Sequence, residues 1–176
     1  GADRVYVVDH PALEHYLDEP YANAVAALIE KYRPEIVLTG ATSIGRSLIP
    51  RVAIQVRAGL TADCTALAID DDEGLLLQTR PAFGGNVMAT ILCPNTRPQM
   101  STVRPGIMKE IEPRAGATGE VVKHDIAFEG KDLMVTIKEI VNVPKKAVNL
   151  EEATIIVSGS ISGFNSPRSG GSTSTI

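Results

Sequence analysis

The chain has 176 residues, of which 44% are hydrophobic and 22% are charged, and its net charge is −4 at pH 7. This apolar fraction can fill the core of one domain, which excludes a wholly disordered chain. The negative charge argues against nucleic acid as the main partner, because binding to a phosphate backbone requires a concentrated positive surface. No apolar run approaches the roughly 18 residues that span a bilayer, so we expect no membrane partner either.

Aromatic residues make up only 4% of the chain, so the core must be aliphatic, as in sheets covered by helices. The two cysteines, Cys64 and Cys93, lie in apolar runs without CxxC spacing. We interpret them as buried, reduced thiols, and the alternative is a disulfide or a metal-binding pair. Reduced thiols predict a reducing, intracellular compartment.

The first third of the chain predicts the order strand, helix, strand. The β-branched run Arg4–Asp9 is typical of a strand, and apolar side chains recur at helical spacing over Tyr21–Tyr32. Asp18 or Glu19, followed by a proline, predicts the start of this helix. The apolar run Glu35–Thr39 predicts the next strand, and a strand–helix–strand unit implies parallel pairing.

A second helix is predicted from Ser43 or Ser47 to Arg57, with Gly59 as its cap. Pro50 leaves its start open, because proline is tolerated only in the first turn of a helix.

The remainder of the chain is rich in predicted strands. A hairpin around the acidic turn Asp70–Gly74 joins Thr65–Ile69 to Leu75–Thr79. The further strand candidates are Asn86–Leu92, Gln99–Arg104, Glu120–Ile126, Leu133–Val141 and Thr154–Ser158, and Val135–Val141 has the clearest pattern.

Two predicted helices cannot cover both faces of a parallel sheet, so either further helices are hidden in the middle of the chain or covering elements are missing. Gly1-Ala-Asp3 is typical of a loop that feeds an interior strand, which favours the second alternative. We therefore predict an α/β, three-layer domain with a largely parallel, mixed central sheet, truncated at both ends. From Ser158 to Ile176, 13 of 19 residues are Ser, Gly or Thr, which predicts a flexible tail or a vector-derived segment.

The run from Gly40 to Ser47 is the first candidate for a binding site, since it follows a predicted strand and opens a predicted helix. Gly40, Thr42, Ser43, Gly45 and Arg46 come within one residue of P-loop spacing, but arginine stands where lysine is required. Three interpretations stay open: a P-loop, a looser anion or nucleotide site on backbone N–H groups, and a tight turn that needs glycine for its conformation.

Two further segments are candidate sites. Thr79–Asn86 contains paired glycines and predicts either a structural loop or an interface loop, with Arg80, Phe83, Gly84, Gly85 and Asn86 as the candidate contacts. Arg97–Gly106 is a polar strand bracketed by prolines, whose Arg97 and Arg104 either bind an anion or are solvated surface arginines.

The remaining polar residues support no catalytic or metal site. His10, His15 and His124 have no Ser, Cys or paired carboxylate at a recognisable spacing. The acidic run Asp70–Glu73 lacks calcium-loop spacing and predicts a solvated hairpin tip.

Five segments in a fixed order resemble the electron transfer flavoprotein α subunit over residues 1–159. They are Gly40-Ala-Thr-Ser-Ile-Gly-Arg-Ser-Leu-Ile-Pro-Arg-Val-Ala53, Gly59-Leu-Thr-Ala-Asp-Cys-Thr65, Thr79-Arg-Pro-Ala-Phe-Gly-Gly-Asn86, Arg97-Pro-Gln-Met-Ser-Thr-Val-Arg-Pro-Gly106 and Ile155-Ile-Val-Ser-Gly159. The opening Gly1-Ala-Asp-Arg-Val-Tyr-Val is similar to the interior of that family's first domain.

The resemblance implies an αβ heterodimer that carries FAD and is an electron carrier rather than an enzyme. It also implies a location in the cytoplasm of a bacterium or the mitochondrial matrix of a eukaryote. Such proteins accept electrons from dehydrogenases such as acyl-CoA dehydrogenases and pass them to a quinone-linked oxidoreductase or another acceptor, and some bacterial members bifurcate electrons with a second flavin. The α subunit has an N-terminal α/β domain, of adenine-nucleotide-hydrolase-like fold, and a C-terminal domain that grips FAD. The β subunit, which is similar in fold to the N-terminal domain, binds AMP or the extra flavin.

The chain departs from the family pattern at both ends. The family's first strands and helices precede Gly1, and its glycine-arginine-glycine run after Gly159 is replaced by Ser160-Ile-Ser-Gly163. We therefore expect residues 1–157 to form the incomplete α/β domain and this chain not to bind FAD tightly. The alternative function is a stand-alone nucleotide-binding regulatory module that acts through the Gly40–Gly45 loop.

Overall fold

The computed structural model describes residues 2–112, 116, 118–141 and 155. The chain divides into two compact units, residues 1–136 and 137–176, and the regular elements described all lie in the first. Its helices are α1 (Asp18–Tyr32) and α2 (Ser43–Gln55). Its strands are β1 (Arg4–Val8), β2 (Ile36–Gly40), β3 (Leu60–Cys64), β4 (Ala66–Ile69), β5 (Leu76–Ala82), β6 (Val87–Ile91), β7 (Gln99–Val103) and β8 (Glu120–His124).

Helix α1 begins where the sequence predicts, and its Ala22 and Ile29 are buried in an apolar core shared with α2 and Met100. Asp18 and Glu19 lie in its first turn, where negative charge complements the positive end of the helix dipole. Pro20 is also in that turn, where its missing N–H has no helical partner to lose. The helix ends at Tyr32, and Arg33 follows in the left-handed conformation with φ 46°.

Helix α2 begins at the earlier of the two predicted starts, because Thr42 caps it: the Gly45 N–H donates to Thr42 Oγ1 over 3.1 Å. Pro50 therefore lies inside the helix, where it cannot donate to the carbonyl four residues earlier. The burial of Ile49, Val52 and Ala53 around it holds the helix together.

The predicted end of α2 is wrong, since the helix stops at Gln55 and Gly59 is not its cap. The left-handed residue after the helix is Arg57, with φ 55°. Gly59 instead packs against another loop, because a Cβ on Gly59 would lie 2.8 Å from Cys93 Sγ.

The strands form three sheets in which parallel and antiparallel pairs are separate. Strands β2, β7 and β3 form a parallel sheet with β7 in the centre, and β1 pairs in parallel with β8. The strand–helix–strand unit thus contributes β1 and β2 to different parallel sheets, because each pairs with a strand far along the chain. Strands β4, β5 and β6 form an antiparallel meander, which contains the predicted hairpin.

The central strand β7 is buried on both faces. Met100 packs into the apolar core on the helix side, whose members are Ala22, Ile29, Ile49, Val52, Ala53 and Met100. On the other face, Gln99 Oε1 accepts from the Leu76 N–H of the meander over 2.8 Å, and Ser101 Oγ donates to Cys64 Sγ. The predicted α/β fold with parallel sheets is confirmed, with helices on one face of the central sheet and the meander on the other. The central sheet is parallel rather than mixed as predicted, because the antiparallel strands pair with one another in the separate meander.

One clear strand prediction is wrong. Leu133 ends a short 3-10 turn, Gly130–Leu133, and residues 134–141 have no regular secondary structure. Their apolar side chains are largely exposed, with Val135 at 64% and Val141 at 71%. Alternation alone therefore does not make a strand, since a strand also needs a partner for its backbone hydrogen bonds. The candidates Thr154–Ser158 and the Ser/Gly-rich segment lie outside the described residues, apart from Ile155.

Candidate functional site

The carboxyl ends of three parallel strands meet at one edge of the central sheet, where ligands commonly bind in α/β proteins. There β2 ends at Gly40, β3 at Cys64 and β7 at Val103, and helix α2 starts at Ser43. The Ala41 N–H donates to the Val103 carbonyl over 2.7 Å, which ties the turn to β7. The structure therefore brings the predicted residues Gly40, Thr42, Ser43, Gly45 and Arg46 to this edge.

Gly45 is required here by close packing. It is buried, and a Cβ at this position would lie 2.0 Å from the Gly40 carbonyl oxygen. Its N–H already donates to Thr42 Oγ1 as part of the helix cap. The geometry thus favours the tight-turn interpretation of this glycine over a phosphate cradle.

Asp63 is the shared anionic partner of Arg46 and Arg104 at this edge. Arg104 binds its carboxylate through two nitrogens, Nε at 3.2 Å and Nη2 at 2.6 Å, and Arg46 Nη2 lies 3.3 Å from Asp63 Oδ1. The hydrogen bond from Arg104 is the main reason why the pKa of Asp63 falls below its ordinary value, with the charges of Arg46 and Arg80 adding to it against partial burial. Arg46 Nε also donates to the Ala41 carbonyl over 2.8 Å.

The backbone of Asp63 is as constrained as its side chain. Its φ is 62°, in the left-handed region, and it lies where the register between β3 and β7 shifts. Its N–H donates to Thr102 Oγ1 over 2.7 Å. Asp63 escapes sequence reasoning, although a lone carboxylate inside the apolar strand run Leu60–Cys64 is a signal that could have found it.

The predicted loop Thr79–Asn86 is shorter than expected. Arg80 and the two residues after it belong to β5 and pair with β6, because the ladder extends to Ala82–Val87. The turn itself is Phe83–Gly85, in which φ is 48° at Phe83, 71° at Gly84 and 90° at Gly85.

The tip of this turn is strongly apolar and exposed. Phe83 is 86% exposed, and neighbouring β6 leaves Val87 and Met88 at 51% and 54%. Asn86, the last of the candidate contacts, is also exposed. Side chains of this kind in one place are typical of protein interfaces.

Residues 1–129 match the family described as the electron transfer flavoprotein domain. The chain belongs to this family. It is 57% identical over 159 residues to the electron transfer flavoprotein subunit alpha of Thermoanaerobacterium thermosaccharolyticum, which covers 90% of this chain and 48% of that relative. The corresponding subunit of Megasphaera elsdenii is 46% identical, with 90% and 47% covered.

A third relative has a different name, "Lactate dehydrogenase (NAD(+),ferredoxin) subunit LctC", from Acetobacterium woodii. It is 46% identical over 159 residues, with 89% of this chain and 37% of the relative covered. The chain thus spans about half the length of the first two relatives and less of the third. The resemblance to the electron transfer flavoprotein α subunit is confirmed.

Within this electron transfer flavoprotein domain, the other polar candidates have structural contacts. Arg97 Nε donates to Glu35 Oε2 over 2.8 Å, and its Nη1 donates to three loop carbonyls. His124 lies within hydrogen-bond distance of Tyr32 and Lys31. Cys64 and Cys93 are both free thiols.

The described residues contain no group of three or more His, Cys, Asp or Glu side chains that would suit a metal ion. None of the helices in this part of the chain combines the length and the apolar character that crossing a membrane requires.

Proposed function

We propose that residues 1–157 form the N-terminal α/β domain of an electron transfer flavoprotein α subunit and act as its scaffold and subunit interface. The carrying observation is the 57% identity to a relative named as that subunit, together with the family match over residues 1–129. In this proposal the whole protein is an αβ heterodimer in the bacterial cytoplasm. It carries electrons through FAD from a dehydrogenase, such as an acyl-CoA dehydrogenase, to a quinone-linked oxidoreductase or another acceptor.

The relatives' names support a carrier rather than a catalyst, since two of them are electron transfer flavoprotein subunits. A relative named as a subunit of a lactate dehydrogenase is 46% identical, so close similarity extends to a protein named for a particular dehydrogenase. The α/β domain is therefore proposed as the shared part of the assembly.

We place contact with the β subunit at the turn that follows β5. Phe83 is a large aromatic side chain in a turn between two paired strands, and Arg80 lies on β5 three residues earlier. Aromatic and arginine side chains dominate binding energy at protein interfaces. Gly84, Gly85 and Asn86 shape this turn, and exposed Val87 and Met88 widen its apolar surface.

We further propose that FAD is held by a separate domain of the whole protein, which corresponds to the region of the relatives outside the alignment with this chain. The electron transfer flavoprotein α subunits of Thermoanaerobacterium thermosaccharolyticum and Megasphaera elsdenii extend to about twice the aligned length, which leaves room for a separate flavin domain. Purified chain is expected to be colourless, and flavin absorbance near 450 nm at about one equivalent would contradict this part of the proposal.

The test is co-expression of this chain with the electron transfer flavoprotein β subunit of the same organism, followed by affinity purification and titration of the complex. A stable complex is expected, and Phe83→Ser should weaken it by about thirtyfold or more, as at an interface hot spot. The matched control is Ile54→Ser, since Ile54 is a similarly exposed apolar side chain, at 80%, on α2.

Failure to form any complex would overturn the subunit-interface role. A complex in which Phe83→Ser and Ile54→Ser weaken binding equally would leave the subunit role standing and remove the turn from the interface. AMP binding that is lost on Arg46→Gln, without any β-subunit complex, would favour the stand-alone nucleotide module instead.

A further inference from the structure

A pocket of about 640 Å³ lies where both helices end, next to the start of β7. This is the opposite edge of the central sheet from the Gly40 turn, because β2 and β7 run in parallel from here. Part of its wall is apolar and consists of Ile29, Pro34, Val56 and Pro98. The polar lining consists of three arginines, Arg33, Arg57 and Arg97, with Gln55 and Glu30.

Two of these arginines occupy backbone positions that favour glycine. Arg33 follows α1 with φ 46°, and Arg57 follows α2 with φ 55°. Residues that end helices in this left-handed conformation are usually glycine, because a Cβ is unfavourable there. Two separate helices thus end on a strained arginine that lines the same pocket.

For Arg33, stabilisation of the helix dipole does not by itself explain this choice, whereas α2 has no cation in its last turn and Arg57 is the first one beyond it. A cation in the last turn of a helix provides that stabilisation, and Lys31 already does so for α1 without a strained backbone. An arginine placed one step further, in the left-handed position, adds a planar fork of N–H donors at the mouth of the pocket.

The side chains of Arg33 and Arg57 make no hydrogen bond or ion pair with any residue that the structure describes. Arg97, by contrast, is hydrogen-bonded to Glu35 and to loop carbonyls, so its side chain is fixed in the wall of the pocket. Three arginines and Glu30 give the lining itself a charge of +2, and Glu35, which pairs with Arg97 from beside the pocket, reduces the local charge to +1.

We propose that this pocket binds a small ligand that carries a phosphate or pyrophosphate group. Arg33 and Arg57 hold the anion, since a guanidinium matches the oxygens of a phosphate with paired N–H donors. Gln55 offers a further amide donor, and the apolar wall accommodates the rest of an organic ligand. The pocket volume lies within the roughly 300–1,000 Å³ that is usual for small-molecule sites.

The test is isothermal titration of the 176-residue chain with inorganic pyrophosphate and, separately, with AMP. Saturable 1:1 binding of pyrophosphate is expected, and it should weaken between about 20 mM and about 200 mM salt. Arg33→Gly and Arg57→Gly should each weaken it by about tenfold or more, the usual loss when a hydrogen bond to a charged group is removed. The matched control is Lys123→Gln, which removes an exposed cation on β8 and should change affinity less than about twofold.

The AMP arm distinguishes the two sources of phosphate. AMP binding that also depends on Arg33 and Arg57 indicates an organic phosphate, and binding of pyrophosphate alone indicates a free inorganic anion. The proposal is overturned if pyrophosphate does not saturate, if neither glycine variant weakens it, or if Lys123→Gln weakens it as much.

Loss of folding would not explain the expected result, because glycine suits both backbone positions and thermal unfolding of the variants verifies this directly. Arg57→Lys adds a second check, since it keeps the charge but loses the fork, and its affinity should fall between those of the parent chain and Arg57→Gly. Association with the β subunit should be unchanged in these variants, so this proposal and the proposed function fail independently.

Discussion

The two edges of the central parallel sheet use arginine in opposite ways. At the carboxyl edge, Arg46 and Arg104 share the carboxylate of Asp63, and Arg46 also binds the Ala41 carbonyl. At the amino edge, Arg33 and Arg57 line a pocket without side-chain partners among the described residues. A carboxylate thus holds two arginines at the edge with the glycine motif, whereas two arginines at the other edge keep their N–H donors unpaired within the described part of the chain.

The carboxyl edge can be tested through its packing, which gives the largest expected effect. Gly45→Ala places a Cβ 2.0 Å from the Gly40 carbonyl oxygen, and this clash is not easily relieved because the Gly40 oxygen belongs to the backbone. We expect the free energy of unfolding to fall by about 3 kcal/mol or more. Urea unfolding followed by circular dichroism measures this change.

The matched control for that experiment is Gly130→Ala, since a Cβ on Gly130 meets nothing within 4 Å and its φ is not in the left-handed region. Its effect should stay below about 0.5 kcal/mol. Equal, small effects at both glycines would show that the turn opens readily and could admit a ligand after all.

The sequence predicts the carboxyl edge better than the amino edge for a physical reason. Gly40–Ser47 is a local pattern in which strand end, cap and helix start follow one another, so one stretch of residues determines the turn. The pocket at the other edge joins Arg33, Arg57 and Arg97, which are far apart in the sequence and meet only through parallel pairing. No local pattern contains that information.

Two other errors have the same origin. The Val135–Val141 alternation predicts a strand, but residues 134–141 have no regular secondary structure. The predicted cap Gly59 is displaced by Arg57, because tertiary packing against Cys93 determines where the glycine is needed. The two helices and the hairpin of β4 and β5 are predicted well, since apolar spacing and turn residues are local signals.

Removal of the Asp63 carboxylate at the carboxyl edge should have the next largest effect on the free energy of unfolding. Asp63→Asn keeps a residue that tolerates the left-handed φ of 62° but removes the charge that binds Arg104 and Arg46. We expect a loss of about 1–2 kcal/mol at low salt, reduced because both arginines are partly exposed. Urea unfolding measures it, and Glu73→Gln at the exposed hairpin tip serves as the control for loss of one negative charge. Equal losses in the two variants would contradict a specific role for Asp63.

The same ion pairs predict a difference in pH dependence. The native pKa of Asp63 is lowered, mainly by the Arg104 hydrogen bond, whereas an unfolded aspartate titrates near about 3.9. The contribution of Asp63 is therefore fully present above about pH 5 and is lost as the pH falls through its lower native pKa. The stability gap between the parent chain and Asp63→Asn should be constant from about pH 5 to 7 and should shrink towards pH 3. Unfolding curves at these three pH values measure the gap, and a gap that grows in acid would reverse the assignment.

The amino edge gives the smallest effect and the sharpest contrast, because losing an arginine there should stabilise the fold. Arg33→Gly and Arg57→Gly relieve an unfavourable left-handed backbone, and neither arginine side chain has a partner among the described residues. Part of this gain is offset, because the helix dipole loses a stabilising cation and glycine gives the unfolded chain more conformational freedom. We expect each change to raise the free energy of unfolding by about 0.5 kcal/mol, measured by thermal unfolding in a buffer without phosphate. The matched comparison is Arg104→Gly, which removes a paired arginine at the carboxyl edge and should destabilise. If all three variants lose stability alike, the arginines at the two edges are equivalent and the contrast between them fails.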